Sequence, residues 1–247
     1  MSQQPMKVTV VTGGSRGIGA ATCRRLARDG HAVAVGFRSD AQAAEAVVAA
    51  VRAIGVPAVA VAVDTSVRAQ VTELFELTEA ALGPVTGLVN NAGVSSRIGP
   101  FVDLTEEDVR RVLDVNVAGY IFCAQEAARR MAEGGAMVNV SSGAATLGSP
   151  REYIHYAASK AAVDTLTVGL AKELAPRGIR VNTVSPGIIR TEFHAGSGEA
   201  GRADRVGPSI PLGRAGEPEE IANAIAWLLS DEASFTTGAN LRVAGGN

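Results

Sequence analysis

Lys7 to Asp29 reads KVTVVTGGSRGIGAATCRRLARD. Lys7–Val11 is a short β-branched run, Thr12–Gly19 is a glycine-rich turn, and Ala20–Asp29 has the composition of a helix. Strand, glycine turn and helix in that order aim free backbone N–H groups at an anion held on the helix N-terminus. The pyrophosphate of a dinucleotide suits this arrangement, and Gly13, Ser15, Arg16, Gly17, Ile18 and Gly19 are placed to meet it. The plainer alternative is a turn that needs only the backbone freedom of glycine.

The same unit repeats outward from this stretch. Strand runs are expected at Ala32–Phe37, Ala58–Val63, Gly87–Asn90, Ala136–Val140, Ile179–Val184 and Asn240–Val243. Helical runs fall at Ala41–Ile54, Val67–Leu82, Thr105–Arg130, Tyr156–Leu174 and from Pro218 to Ser230. Alternation from end to end predicts an α/β fold, a Rossmann-type doubly wound parallel sheet of about seven strands with helices on both faces. At 247 residues, one domain spanning 1–247 is expected. Apolar residues make up 47% of the chain and aromatics 4%, so Ala, Val, Leu and Ile must form a core of strands buried on both faces. The net charge of −2 and the lack of a basic run argue against a nucleic-acid surface. No apolar run approaches about 18 residues and no signal-peptide core follows Met1, so a soluble cytoplasmic protein is expected. Cys23 and Cys123 are isolated in helical patterns and read as buried free thiols, and the scattered histidines offer no metal-ligand cluster.

Chemistry-bearing residues gather at the carboxyl ends of these strands. After Phe37 stands Arg38, where a carboxylate would suit the ribose of NAD. Arginine there, helped by Arg16, suits the 2′-phosphate of NADP, unless Arg38 is only a solvated loop charge. Asp64 and Thr65 follow the third strand, where the carboxylate is placed to accept from an adenine amino group or to cap the next helix. Asn91, Ala92 and Gly93 allow close approach to a cofactor, and the asparagines can tie adjacent strands. Asn116, between Val115 and Val117, needs hydrogen-bond partners, as either a satisfied core amide or an active-site one. Ser142 brings a hydroxyl to the end of the fifth strand. Tyr156 and Lys160 lie four apart on one helix face, so phenol and ammonium reach one pocket. An ammonium roughly 6 Å from a phenolate, at an effective dielectric of about 20, stabilises it by about 3 kcal/mol, or roughly two pKa units. That would suit Tyr156 to proton exchange near neutral pH. Residues 190–211 show no clear period and read as a mobile lid or functional loop.

Thr12-Gly-x-x-x-Gly-x-Gly19, Asn90-Asn-Ala-Gly93, Asn116, Ser142, Tyr156-x-x-x-Lys160 and Pro186-Gly187 together resemble the classical short-chain dehydrogenase/reductase family, along nearly the whole chain. The resemblance implies an oxidoreductase acting on CH–OH groups that passes hydride between NADP (or NAD) and a carbonyl or alcohol. Tyr156 would be the general acid/base, Lys160 would lower its pKa and hold the nicotinamide ribose, Ser142 would bond the carbonyl oxygen, and Asn116 would hold a water leading to Lys160. Ile189 and Thr191, past Pro186 and Gly187, would meet the carboxamide side of the nicotinamide. Within the family the chain is similar to 3-oxoacyl-carrier-protein reductases and bacterial glucose dehydrogenases. The loop Met131–Gly135 lacks the basic residues that an acidic carrier protein favours, so that partner is disfavoured. Substrate contacts are expected from Ser95, Ala144, Arg151, Tyr153 and His194. Family members pair through the two long helices and near the last strand, implying a homo-tetramer. A dinucleotide sensor and a structural oligomer remain as rival readings, and neither requires a proton donor.

Overall fold

The computed structural model describes residues Met6–Asn247; the expectation about a signal peptide therefore falls partly on residues outside the described ones. Seven strands form one parallel sheet: β1 (Val8–Val11), β2 (Ala32–Phe37), β3 (Ala58–Ala62), β4 (Gly87–Asn90), β5 (Ala136–Val140), β6 (Arg180–Pro186) and β7 (Asn240–Val243), in the order β3-β2-β1-β4-β5-β6-β7. The order reverses direction between β1 and β4, and at such a switch point the connections leave on opposite faces and open a crevice past the strand ends.

Side-chain alternation explains how the sheet is covered. Val33 and Val35 of β2 and Val138 and Val140 of β5 face one layer, which holds α1 (Gly17–Arg28), α2 (Ala41–Ile54) and, further along the chain, the helix Pro218–Leu229. Ala32 and Ala34, with Leu88 and Met137, face the other. That layer holds α3 (Arg68–Leu82), the downstream half of the long helical region and the helix Ile154–Leu174. The upstream half, α4 (Glu106–Leu113), packs on that last helix rather than on the sheet, and the downstream half is α5 (Gly119–Arg130). Cys23 lies fully buried in the first layer and Cys123 fully buried in the second.

Three features depart from the sequence pattern. The run Thr105–Arg130 is capped as expected, with Thr105 Oγ1 accepting from the Asp108 amide at 3.1 Å, but it is not one helix. A π turn, Asp114–Ala118, separates α4 from α5. Such a turn widens the helix by one residue and shifts the phase of the downstream side chains. Asp64 does not cap α3, whose N-cap is Val67. Its Oδ1 instead accepts from the Ser66 amide at 3.0 Å and the Ser66 hydroxyl at 2.6 Å. The segment 190–211 is not shapeless, since it carries two short helices. After α6 (Ala144–Leu147) and α7 (Ile154–Leu174), these are α8 (Phe193–Gly196) and α9 (Arg202–Val206), with α10 (Pro218–Leu229) next in the chain.

The asparagines do tie the strands. Asn90 Nδ2 donates to Asn139 Oδ1 at 3.0 Å, Asn139 Nδ2 to Thr167 Oγ1 at 2.9 Å, and Thr167 meets Thr183 at 2.7 Å, a buried polar line from β4 through β5 and α7 to β6. Asn91 Nδ2 donates to the Thr12 and Gly13 carbonyls at 2.9 and 3.1 Å, joining β4 to the glycine turn. Among the described residues no helix is long and apolar enough to cross a membrane.

Candidate active site

The strand ends open into one cavity of about 960 Å³. At one end lies the glycine turn. Gly13 and Gly17 have φ of +63° and +51°, a left-handed backbone that a side chain would strain. A Cβ on Gly17 would also sit 3.2 Å from Thr191 across the opening. The first helical bond of α1 runs from Ala20 N to Arg16 O, so the amides of Gly17, Ile18 and Gly19 have no partner within the helix. Ser15, Arg16, Gly17 and Ile18 form the wall there. Gly19 does not reach the cavity. It is buried behind the turn, where a Cβ would lie 2.2 Å from the Gly13 carbonyl, so its role is to let helix and turn close up.

Arg38 is on the wall, 63% exposed, with Nε 3.2 Å from Asp64 Oδ2. Burial works against ionisation of Asp64, but the Ser66 hydrogen bonds and the Arg38 charge outweigh it and hold the carboxyl below its usual range. Thr65, Asn91, Ala92 and Gly93 continue the wall, and Pro186, Gly187, Ile189 and Thr191 close the far side. A Cβ on Gly93 would lie 3.6 Å from Lys160 Nζ, so glycine leaves the lysine open to the cavity. Charged groups, free amides and a glycine-lined cradle in this order fit a dinucleotide.

At the other end stands Tyr156, with the Ser142 hydroxyl beside its phenol on the same wall. The ring is edge-on to Tyr153 (centroids 5.3 Å apart) and tilted against Phe193 (5.8 Å). Burial pushes the phenol above its ordinary range; Ser142 opposes this and Tyr153 adds to it. The expectation that Lys160 pulls the phenol down by two units is therefore not met by these groups alone. Lys160 Nζ is 5.8 Å from the Tyr156 ring centre, but burial brings its own pKa down to about 7, with Asp164 resisting. For two groups this deeply buried, loss of water outweighs their mutual attraction. The ammonium donates to the Val140 carbonyl at 2.8 Å and to the Tyr120 hydroxyl at 3.1 Å.

A family model described as enoyl-(acyl carrier protein) reductase matches residues 13–247. The chain is 49% identical over 246 residues to the Escherichia coli (strain K12) protein named uncharacterized oxidoreductase YgfF, covering 98% of this chain and 100% of that one. It is 40% identical to 3beta-hydroxysteroid dehydrogenase 1 of Eggerthella lenta, covering 97% and 93%. A short chain dehydrogenase from Burkholderia cenocepacia J2315 in complex with NADP superposes with a TM-score of 0.91 at 38% identity, covering 99% of each chain. The chain belongs to the classical short-chain dehydrogenase/reductase family. As the relatives' names state, this is a family of oxidoreductases.

Within this short-chain dehydrogenase/reductase the structure separates the expected site residues. Ser142, Tyr156 and Lys160 converge on the cavity, and Asn116 does not. Its Oδ1 accepts from the Val94 amide (2.9 Å), and its Nδ2 donates to the Val94 carbonyl (2.9 Å) and Ser159 Oγ (3.1 Å). The side chain thus pins the loop after β4, with both amide protons donated and one Oδ1 lone pair still free. Ser95, Ala144, Tyr153 and His194 lie on the wall. His194 Nε2 bonds the Ile189 carbonyl at 3.1 Å, so that nitrogen carries a proton, while burial lowers the ring's pKa. Arg151 is exposed and off the wall, with a left-handed φ of +63°, and Ser149 and Glu152 line the cavity. The sequence reading missed Tyr120 and Arg202. Tyr120 repeats with Asn116 the four-residue spacing of Tyr156 and Lys160, a signal that was available. Arg202 has no such pattern. It is 6% exposed, bonded to both oxygens of Glu152 (2.7 and 2.6 Å) and to Glu199 (2.9 Å), and it stands over the Tyr153 ring.

Proposed function

We propose that this chain is a single-domain, NADP(H)-dependent carbonyl reductase and alcohol dehydrogenase in which Tyr156 exchanges a proton with the substrate oxygen. The observation that carries the reading is the Tyr156 phenol, with Ser142 beside it and Lys160 Nζ 5.8 Å from its ring centre, in the same cavity as the glycine turn. When bound, the nicotinamide supplies or accepts the hydride. The amides of the glycine turn hold the pyrophosphate, and Arg38 with Arg16 meets the 2′-phosphate. The NADP-bound relative supports that choice. Ser142 donates to the oxygen on which charge develops, and Tyr156 delivers the proton. Because burial raises the phenol's pKa, Tyr156 stays protonated at neutral pH, which suits reduction. Oxidation needs its proton removed and gains rate as pH rises. Residues 190–211 act as the lid.

The substrate end supports a neutral, apolar carbonyl compound over a sugar or an acyl carrier. Tyr153 and Phe193 flank the phenol, and Leu147 and Val206 extend an apolar wall. Arg202, the arginine beside Tyr153, is already paired with Glu152 and Glu199 and does not await a substrate carboxylate. The hydroxysteroid dehydrogenase among the relatives is consistent with this.

The decisive experiment is single-turnover hydride transfer with cyclic and aryl ketones, sugars and acyl thioesters, using parent and Tyr156→Phe. The variant should bind NADPH normally and lose about 10²–10⁴-fold in rate. Near-normal turnover in Tyr156→Phe removes the proton-donor assignment. Tight NADPH binding with no turnover of any carbonyl by the parent favours a dinucleotide sensor.

A further inference from the structure

Lys160, 3% exposed, is the most deeply buried charged group on the cavity wall, and it is held by groups from β5 and from another helix. Tyr120, at the start of α5, is 1% exposed and lies behind the cavity wall. Its hydroxyl donates to the Val140 carbonyl at 2.9 Å. Burial raises this phenol's pKa well above its ordinary range, so the hydroxyl keeps its one proton and spends it on Val140. The lone pairs that remain face Lys160, whose Nζ donates to the Tyr120 oxygen at 3.1 Å and to the same Val140 carbonyl at 2.8 Å. Nζ also stands 4.7 Å from the centre of the Tyr120 ring, closer than to that of Tyr156. An ammonium has three N–H donors, and two are fixed by this triangle. The third is left for the cavity, on the side that Gly93 keeps open.

We propose that Tyr120 is a positioning residue: its buried hydroxyl, committed as a donor to Val140, accepts from Lys160 and turns the lysine's remaining N–H toward the cavity. Its effect on turnover rests on the assignment of Tyr156 and Lys160 as the proton-exchanging pair; its effect on Lys160 itself does not. The ionisable groups around Lys160 are Tyr156 and Asp164 on its own helix and Tyr120 on α5, with Cys123 beyond it. From β5 and the loop after β4 it meets the neutral Val140 carbonyl and Gly93. Replacing Tyr120 by Phe keeps the ring and removes one acceptor from the charged lysine. Lys160 should then lose its proton at lower pH, and Tyr156 should lose the support of that charge.

The test begins with Lys160 directly. The chain's lysines are Lys7, Lys160 and Lys172, so ¹³C-labelled lysine gives an NMR titration that Lys160→Met assigns. In Tyr120→Phe the Lys160 midpoint should fall by at least about half a pH unit, with thermal stability close to the parent's. Ketone reduction by Tyr120→Phe should slow about tenfold or more at unchanged substrate KM, and the fall in its rate as Lys160 loses its proton should move to lower pH. An unmoved Lys160 midpoint overturns the proposal. So does a shifted midpoint with a superimposable pH–rate profile, because Tyr120 would then touch Lys160 without serving the reaction. Tyr156→Phe, run alongside, separates the readings. If it retains turnover, the proton-donor assignment has failed whatever Tyr120 does; if it is inactive and Tyr120→Phe is normal, only the positioning role of Tyr120 falls. Should Tyr120→Phe not fold, 3-fluorotyrosine in a Tyr153→Phe, Tyr156→Phe background labels Tyr120 alone. It weakens that oxygen as an acceptor without changing its shape, and the Lys160 midpoint must still fall.

Discussion

At Lys160 the needs of folding oppose those of the proposed chemistry. Burial lowers its pKa from 10.5 to about 7, so between those values the unfolded chain binds a proton that the folded chain does not. Stability therefore rises with pH across that window, and the cost of the lysine is greatest at pH 7 and below. Lys160→Met should remove turnover yet stabilise the fold by about 1–4 kcal/mol at pH 7, a Tm gain of about 3–10 °C that shrinks toward pH 10.5. Tyr120 and Val140 still satisfy each other without the ammonium, so no buried group is orphaned. Calorimetry from pH 6.5 to 10.5 measures both the gain and its slope, and a loss of stability would contradict the desolvation argument. At the other end of the cavity, Arg38→Ala should weaken NADPH binding about ten- to a hundredfold and leave NADH unchanged, read by fluorescence titration. Residue types and spacing revealed Tyr156, Lys160, Ser142 and the glycine turn. They could not separate Gly19 and Asn116 from the cavity wall, because both sit one layer behind it and serve the residues in front. Whether a side chain faces a cavity or supports its wall depends on contacts between distant segments.

At the scale of elements, the segment 190–211 is held down at named points. Arg202 on α9 grips Glu152 in the turn before α7, and Ile98 N donates to Ser197 O at 3.1 Å. Gly99 N donates to Glu152 O at 3.1 Å, so three loops around the substrate end are bonded to one another. Glu152→Gln leaves Arg202 buried with a weakened partner, which penalises the closed arrangement. Limited proteolysis within 190–211 should become about fivefold or more faster, with global Tm little altered. If cleavage is unchanged, the ion pair is not what holds the segment. From sequence this stretch reads as a mobile lid or functional loop because its helices are a turn long and amphipathic periodicity needs more residues to show. The π turn was hidden for a related reason, since one inserted residue in a long helical pattern looks like ordinary scatter in the apolar positions.

For the whole molecule, strand order and layers follow from patterns that repeat many times, which is why the doubly wound sheet was legible throughout. Assembly was not, because an interface looks like any apolar surface until its partner is known. Val168 on α7, 42% exposed, and Phe235 before β7, fully exposed, are apolar side chains on the faces expected to pair in a homo-tetramer. Light scattering at micromolar concentration should give the tetramer mass, and Phe235→Asp should dissociate it by about half; a stable monomer in the parent defeats this expectation. The two cysteines carry a further consequence. Cys23 lies under α1 on one side of the sheet and Cys123 under α5 on the other, both fully buried with thiols pushed up to about 12. Each is chemically silent to maleimides while its own layer stays shut. The chain thus contains a pair of unlabelled clocks, one per layer, and pulsed alkylation followed by peptide mass mapping would time which side of the sheet opens first.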